Sequence, residues 1–170
     1  MPSGSCLCGE IKISYEGETK FTAVCWCDDD RKMADISVFQ IPKQSFKITS
    51  GTPKAWTKLS DFDREITNHF CATCGTILFR TGGNPNVQDC VGLRAGVLGD
   101  QSIVNETVPR VEVFSEKRPK WRTKIEGAVQ LKGQVEILED EYWNKDGTPK
   151  NADANDTTRS NGIDLRSVKF

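Results

Sequence analysis

The sequence predicts a mainly β domain, and three features carry that prediction. Short apolar-polar alternations recur along the first two thirds of the chain, as in Ile11, Ile13 and Tyr15 around Lys12 and Ser14. That is the period of a half-buried strand. Turn clusters such as Gly51-Thr52-Pro53, Ser60-Asp61-Phe62-Asp63 and Gly82-Gly83-Asn84-Pro85 recur about every ten residues, the rhythm of an all-β domain. Six of the seven cysteines stand in tight pairs, C-x-C at Cys6/Cys8 and Cys25/Cys27 and C-x-x-C at Cys71/Cys74, with Cys90 left over. Pairs that close favour thiolate ligation over disulfides in a reducing compartment.

The elements follow in order. Ser5 to Tyr15 and Phe21 to Cys25 read as strands, and Asp28 to Asp35 as one helical turn with Asp28 as its N-cap. Ile36 to Ile41 is a strand interrupted by Pro42. Ser45 to Thr49, Ala55 to Leu59, Arg64 to Phe70, Thr76 to Arg80, Asp89 to Leu93 and Arg110 to Phe114 complete the strand set. Arg94 to Asp100 is punctuated by glycine and reads as a shaped loop. The basic run Lys117 to Lys124 reads as a solvated face with a packed Trp121, or else as an anion contact. Few large apolar residues occur from Asn144 to Gly162, which places the domain at residues 3–135 and a polar extension at 136–170, with Ile163, Leu165, Val168 and Phe170 able to dock back.

Composition narrows the function. The 170 residues suit one domain that buries about two thirds of its unfolded surface. A net charge of -1 gives no global field toward nucleic acid or membrane, so a nucleic-acid role is disfavoured despite the basic run. No run approaches the ~18 apolar residues of a membrane span, and Met-Pro-Ser-Gly-Ser-Cys lacks an apolar signal core. A cytoplasmic protein with reduced cysteines is the expectation.

The chemistry gathers at Val24-Cys25-Trp26-Cys27-Asp28-Asp29-Asp30-Arg31-Lys32. Residues i and i+2 of a strand share a face, so Cys25 and Cys27 can turn toward one ion, with Asp30 joining them if the chain curls. A fourth position left open separates catalytic from structural zinc. Cys71-x-x-Cys74-Gly75 is a zinc-knuckle turn, and either Cys6-x-Cys8-Gly9 or Cys25-x-Cys27 supplies the second pair of its tetrahedron; spacing does not choose between them.

Taken together, Gly4-Ser5-Cys6-Leu7-Cys8-Gly9, Cys25-Trp26-Cys27-x-x-Asp30-Arg31-Lys32, Phe70-Cys71-Ala72-Thr73-Cys74-Gly75-Thr76, Arg94-Ala95-Gly96-Val97-Leu98 and Glu112 to Trp121 resemble the glutathione-dependent formaldehyde-activating enzymes and their relatives. The resemblance spans about Ser3 to Gln130 and implies an Mss4-like zinc-bound fold of several short twisted β-sheets. It further implies one structural zinc on Cys6, Cys8, Cys71 and Cys74 and a second, catalytic zinc on Cys25, Cys27 and a third cysteine. Asp30 stands in that third place. Aspartate keeps the ligand charge and is an accepted zinc ligand, and it makes the ion a stronger Lewis acid than a third thiolate would. The alternative is an acidic helix start with no second ion, and Asp28 or Asp29 is a substitute ligand.

By that resemblance the activity is a carbon-sulfur lyase-like reaction on a small molecule, a glutathione adduct or related electrophile, divergent from formaldehyde activation. Arg31 and Lys32 beside the ligands and Arg94 on the glycine loop are candidates to hold carboxylates or an oxyanion. His69 is a candidate general acid or base, or else a hydrogen-bonding or packing residue. Cys90 reads as a small buried hydrophobe. The open position is expected to face a pocket lined from Arg94 to Leu98, near Trp121. The competing class is a zinc-stabilised binding module without chemistry, retaining only the structural ion. Oligomeric state is not legible.

Overall fold

A long, mostly antiparallel sheet runs through the computed structural model, which describes residues 1–33, 37–60, 63–84 and 87–133. The strands are β1 (Ser3–Ser5), β2 (Lys12–Tyr15), β3 (Phe21–Cys25), β4 (Ser37–Pro42), β5 (Phe46–Ser50), β6 (Lys54–Leu59), β7 (Glu65–Phe70), β8 (Ile77–Gly82), β9 (Cys90–Arg94), β10 (Val111–Val113) and β11 (Val129–Gln130). Two short helices join them, α1 (Asp28–Lys32) and α2 (Gln101–Glu106). The eight-stranded sheet has the order β11-β10-β3-β4-β9-β8-β7-β6, and a three-stranded sheet has the order β1-β2-β5. The protein is mainly β, as its sequence predicts. The proposed extension at 136–170 lies outside the described residues.

Alternation builds the core. Ile13 and Tyr15 from the small sheet, with Ile11 just before β2, pack with Phe39, Ile41, Leu78, Phe79, Val91 and Leu93 from the large one. A second cluster of Ala23, Cys25, Val111, Val113 and Leu131 lies where β10 runs parallel to β3. Burying such side chains is worth roughly 1.5–3 kcal/mol each.

Four local expectations change. The strand placed from Ser5 to Tyr15 is split into β1 and β2, because Cys6 to Gly9 turn back through a Gly9 amide to Cys6 carbonyl bond of 3.0 Å. The cap of α1 is Cys27 rather than Asp28, its sulfur accepting from the Asp30 amide at 3.4 Å. The glycine-punctuated loop tightens into a 3-10 turn over Ala95–Val97, and Asp100 then caps the unforeseen α2 by accepting from the Ser102 amide. Trp121 is 76 % exposed and carries Arg122 over its ring at 4.9 Å, so it is not packed.

One fully buried carboxylate ties the end of the described domain to the Cys25-Trp26-Cys27 segment. Glu112 on β10 accepts from Trp26 Nε1 at 2.7 Å, Arg118 at 2.8 Å and Gln130 at 3.0 Å, and from the Ile125 amide. Burial raises its pKa, but the Ile125 amide, Gln130, Trp26 and Arg118 outweigh burial and hold it below the usual range. A depressed carboxylate stabilises the fold above its unfolded pKa, ~4.3, and that contribution is lost as pH falls through the folded value.

Replacing Glu112 by Ala strands those donors and is expected to cost about 3–5 kcal/mol in urea unfolding at pH 7. Glu112→Gln should remove part of the wild-type stability loss seen when the same experiment is run below pH 4. An unchanged acid dependence in that variant would show that Glu112 contributes nothing to it.

Candidate metal centres

The first centre joins the two sheets. Cys6 and Cys8 meet Cys71 and Cys74, all four sulfurs lying within 4.8 Å of one another. The open pairing is thereby resolved: the knuckle at Cys71 takes Cys6 and Cys8 as its partners. Each pair sits in the same hairpin, with Cys6 N donating to Ile11 O and Cys71 N to Thr76 O at 3.0 and 2.9 Å. Gly9 and Gly75 follow with φ of 77° and 75°, a conformation cheap only for glycine.

The separations fit a tetrahedral ion. Cys6 to Cys8 is 3.5 Å and Cys8 to Cys71 is 3.7 Å, against an edge of ~3.8 Å for sulfurs ~2.3 Å from zinc. The Thr76 hydroxyl and amide are first among the groups that lower Cys74, to about 5. Cys8 is lowered by the Glu10 amide but pushed up to about 12 by Cys6 and by burial. Sulfurs so crowded ionise together only around a cation.

The second cluster forms where β3 ends and α1 begins. Cys25, Cys27 and Asp30 offer donor atoms within 4.8 Å of one another. Cys27 Sγ donates to Asp30 Oδ2 at 2.9 Å. In α1, three acidic residues followed by two basic ones, the three aspartates have different fates. Asp28 pairs outward with Arg31 at 2.8 Å and Lys117 at 3.0 Å, Asp29 pairs with Lys58 at 2.7 Å, and Asp30 is 2 % exposed. Only Asp30 turns to the thiols.

Two arginines hold that carboxylate. Arg94 NH1 bonds Asp30 Oδ1, and Arg80 NH1 bonds Oδ2 at 3.0 Å while Arg80 Nε reaches Asn68 at 2.9 Å. Burial raises the Asp30 pKa, yet Arg94, then Arg80, drive it below the ordinary value. Cys25 is pushed far up by Cys27, by burial and by the Asp30 charge. Its thiol stays protonated unless a cation replaces the proton.

The donor set fits a divalent ion. Asp30 Oδ2 already offers a lone pair to the Cys27 proton, so an ion taking that proton's place uses the same lone pair without displacing Arg80. Two thiolates and a carboxylate leave -1 on such an ion, as for three thiolates, but Arg80 and Arg94 bring the surroundings to +1.

Beside the cluster opens a small cleft whose walls bring together Cys25, Asp30, Arg80 and Arg94 with apolar Phe21, Val38, Ile66, Val87 and Val113. Gln40, Asn84 and Cys90 supply its other polar atoms. The expected walls at 95–98 and Trp121 are not there: Ala95, Val97 and Leu98 are core residues. Arg31 points to Asp28 on the surface. His69 stacks on Phe79 at 4.3 Å and meets Thr81 Oγ1 at 3.2 Å, with burial lowering its pKa. Its contacts are those of a packed, hydrogen-bonded residue. Sequence reasoning missed Arg80, whose signal was a charge inside the apolar strand Ile77-Leu78-Phe79-Arg80.

Two sheets clasped by a four-thiol knuckle pair, with a two-thiol, one-carboxylate cluster beside a cleft, define a cysteine-rich β protein able to hold metal. The chain belongs to the glutathione-dependent formaldehyde-activating enzyme family, whose sequence model matches residues 1–117. A crystal structure of a Rhodobacter sphaeroides protein is similar at 17 % identity and TM-score 0.48, over 57 % of this chain and 87 % of that one. No curated protein matches the sequence. Among the described residues no helix is long and apolar enough to cross a membrane.

A zinc ion held by the four thiolates would contribute ~10–16 kcal/mol of apparent binding free energy to folding. Cys71→Ser and Cys74→Ser are therefore expected to give unfolded or insoluble protein, read by soluble yield and circular dichroism. A soluble Cys74→Ser protein with an unchanged melting temperature would exclude that ion.

Proposed function

We propose that the chain is a zinc-dependent, carbon-sulfur lyase-like enzyme acting on the adduct of a thiol, glutathione by family, with an electrophilic small molecule other than formaldehyde. The observation that carries the reading is the meeting of Cys25, Cys27 and buried Asp30 beside a cleft. Membership of the family supports the thiol. Zinc bound there supplies Lewis acidity, which favours a thiol's ionised form at neutral pH and polarises a carbonyl.

The chain's own residues do the rest. Arg94 and Arg80 fix the Asp30 carboxylate in one orientation, as carboxylates behind a reactive centre must be fixed. Apolar walls keep water from the reacting carbon, and the Gln40 and Asn84 amides supply the polar contacts that set orientation. In the synthetic direction the sulfur-carbon bond forms as the carbonyl π bond breaks, and the thiol proton ends on the carbonyl oxygen. The lyase direction reverses each of these changes.

A second reading is a binding module that keeps only the four-thiol ion. The arginine pair favours it, because Arg80 and Arg94 satisfy Asp30 without a metal. The two readings separate on Asp30→Ala and Cys27→Ala, assayed for zinc per chain and for turnover of aldehyde-glutathione mixtures. The enzyme reading expects each variant to lose one ion and at least about a hundredfold in kcat/KM. Asp30→Cys should retain the ion and shift preference toward formaldehyde. Full metal content and activity in Asp30→Ala would make Asp30 a bystander.

A further inference from the structure

Arg80 has a second exposure that the reactive cleft does not use. On its other side lies an open groove over one face of β6, β7 and β8, lined by Trp56, Asn68, Phe70 and Ile77 with Asp29, Lys32, Met33 and Lys58 from α1 and β6. Period-two alternation makes this a single face: Trp56 stands opposite Asn68, which stands opposite Arg80.

Three observations in the groove point the same way. Trp56 is 56 % exposed, a large flat apolar surface left to solvent. Arg80 NH2 donates to the Met33 thioether at 3.6 Å, and a thioether is a weak partner for a guanidinium. Lys32 has no hydrogen-bond or ion-pair partner among the described residues, whereas Lys58 and Asp29 neutralise each other at 2.7 Å. With that pair cancelled, the groove's remaining charges are both positive. A carboxylate replacing the thioether would leave Arg80 NH1 on Asp30 and Nε on Asn68.

We propose that this groove is a separate binding site for a small anion with a flat apolar body, an arylcarboxylate by class. The carboxylate is held by Arg80 NH2 and Lys32 in place of Met33 Sδ, and the ring packs on Trp56. The site does not depend on an ion at Cys25, so it stands or falls apart from the enzymatic reading.

The test is calorimetric titration of the full chain with 2-naphthoate and with its neutral counterpart 2-naphthamide. The proposal expects naphthoate to bind about tenfold tighter or better, with Lys32→Gln weakening naphthoate alone and Trp56→Ala weakening both probes. Arg80 itself is left intact because it also holds Asp30. Equal affinity for the two probes, absence of binding, or naphthoate affinity unchanged by Trp56→Ala would each overturn the proposal. Chelating the metal from the second cluster, with the four-thiol site still loaded, should leave naphthoate affinity unchanged; its loss would place the anion on that ion instead and also overturn the proposal.

Discussion

Everything in this molecule hangs on four sulfurs drawn from two places far apart in sequence. Cys6 and Cys8 leave the small sheet, Cys71 and Cys74 close the β7-β8 turn, and their meeting fixes how the sheets face each other. The core between them, with Ile13, Phe39, Leu78 and Leu93 at its centre, is packed around that clasp. Loop closure over such a separation is entropically costly, and the cost falls on hairpins whose glycines and amide bonds are already shaped for an ion.

Buried charge is the second constraint. Asp30 and Glu112 are the two carboxylates among the described residues that are almost wholly enclosed, and each would be prohibitive unpaired. Glu112 is satisfied by four donors that gather the end of the domain around Trp26, so it positions the segment carrying Cys25 and Cys27. Asp30 is satisfied by two guanidinium groups and a thiol. The result is a carboxylate that stays ionised and oriented, while the two guanidinium groups turn the charge around the thiols positive.

Much of this was legible in the sequence, for identifiable reasons. Glycine after each C-x-C or C-x-x-C marks a knuckle wherever it occurs, and alternation such as Ile11-Lys12-Ile13-Ser14-Tyr15 marks strands. Spacing alone left open which C-x-C pair closes on Cys71; the resemblance put Cys6 and Cys8 there, and tertiary packing brings them together. Asp30 was read as the third donor with Asp28 and Asp29 left as substitutes, and the phase of α1 is what sends Asp30 inward. Arg80 was missed because its partner lies 50 residues away in sequence. The cleft was misplaced for a related reason: its walls come from β3, β4, β7, β8, β9, β10 and α1, which meet only through the tertiary fold.

In the proposed centre Cys25, Cys27 and Asp30 hold an ion while Arg80 and Arg94 hold Asp30. X-ray absorption at the zinc edge, on protein carrying its full complement of zinc, tests it most directly. Two ions per chain should give an average shell of about three sulfurs at ~2.3 Å and one oxygen or nitrogen at ~2.0 Å. A shell of about four sulfurs with no light neighbour, at one zinc per chain, would contradict the claim and leave the arginine pair as the sole partner of Asp30.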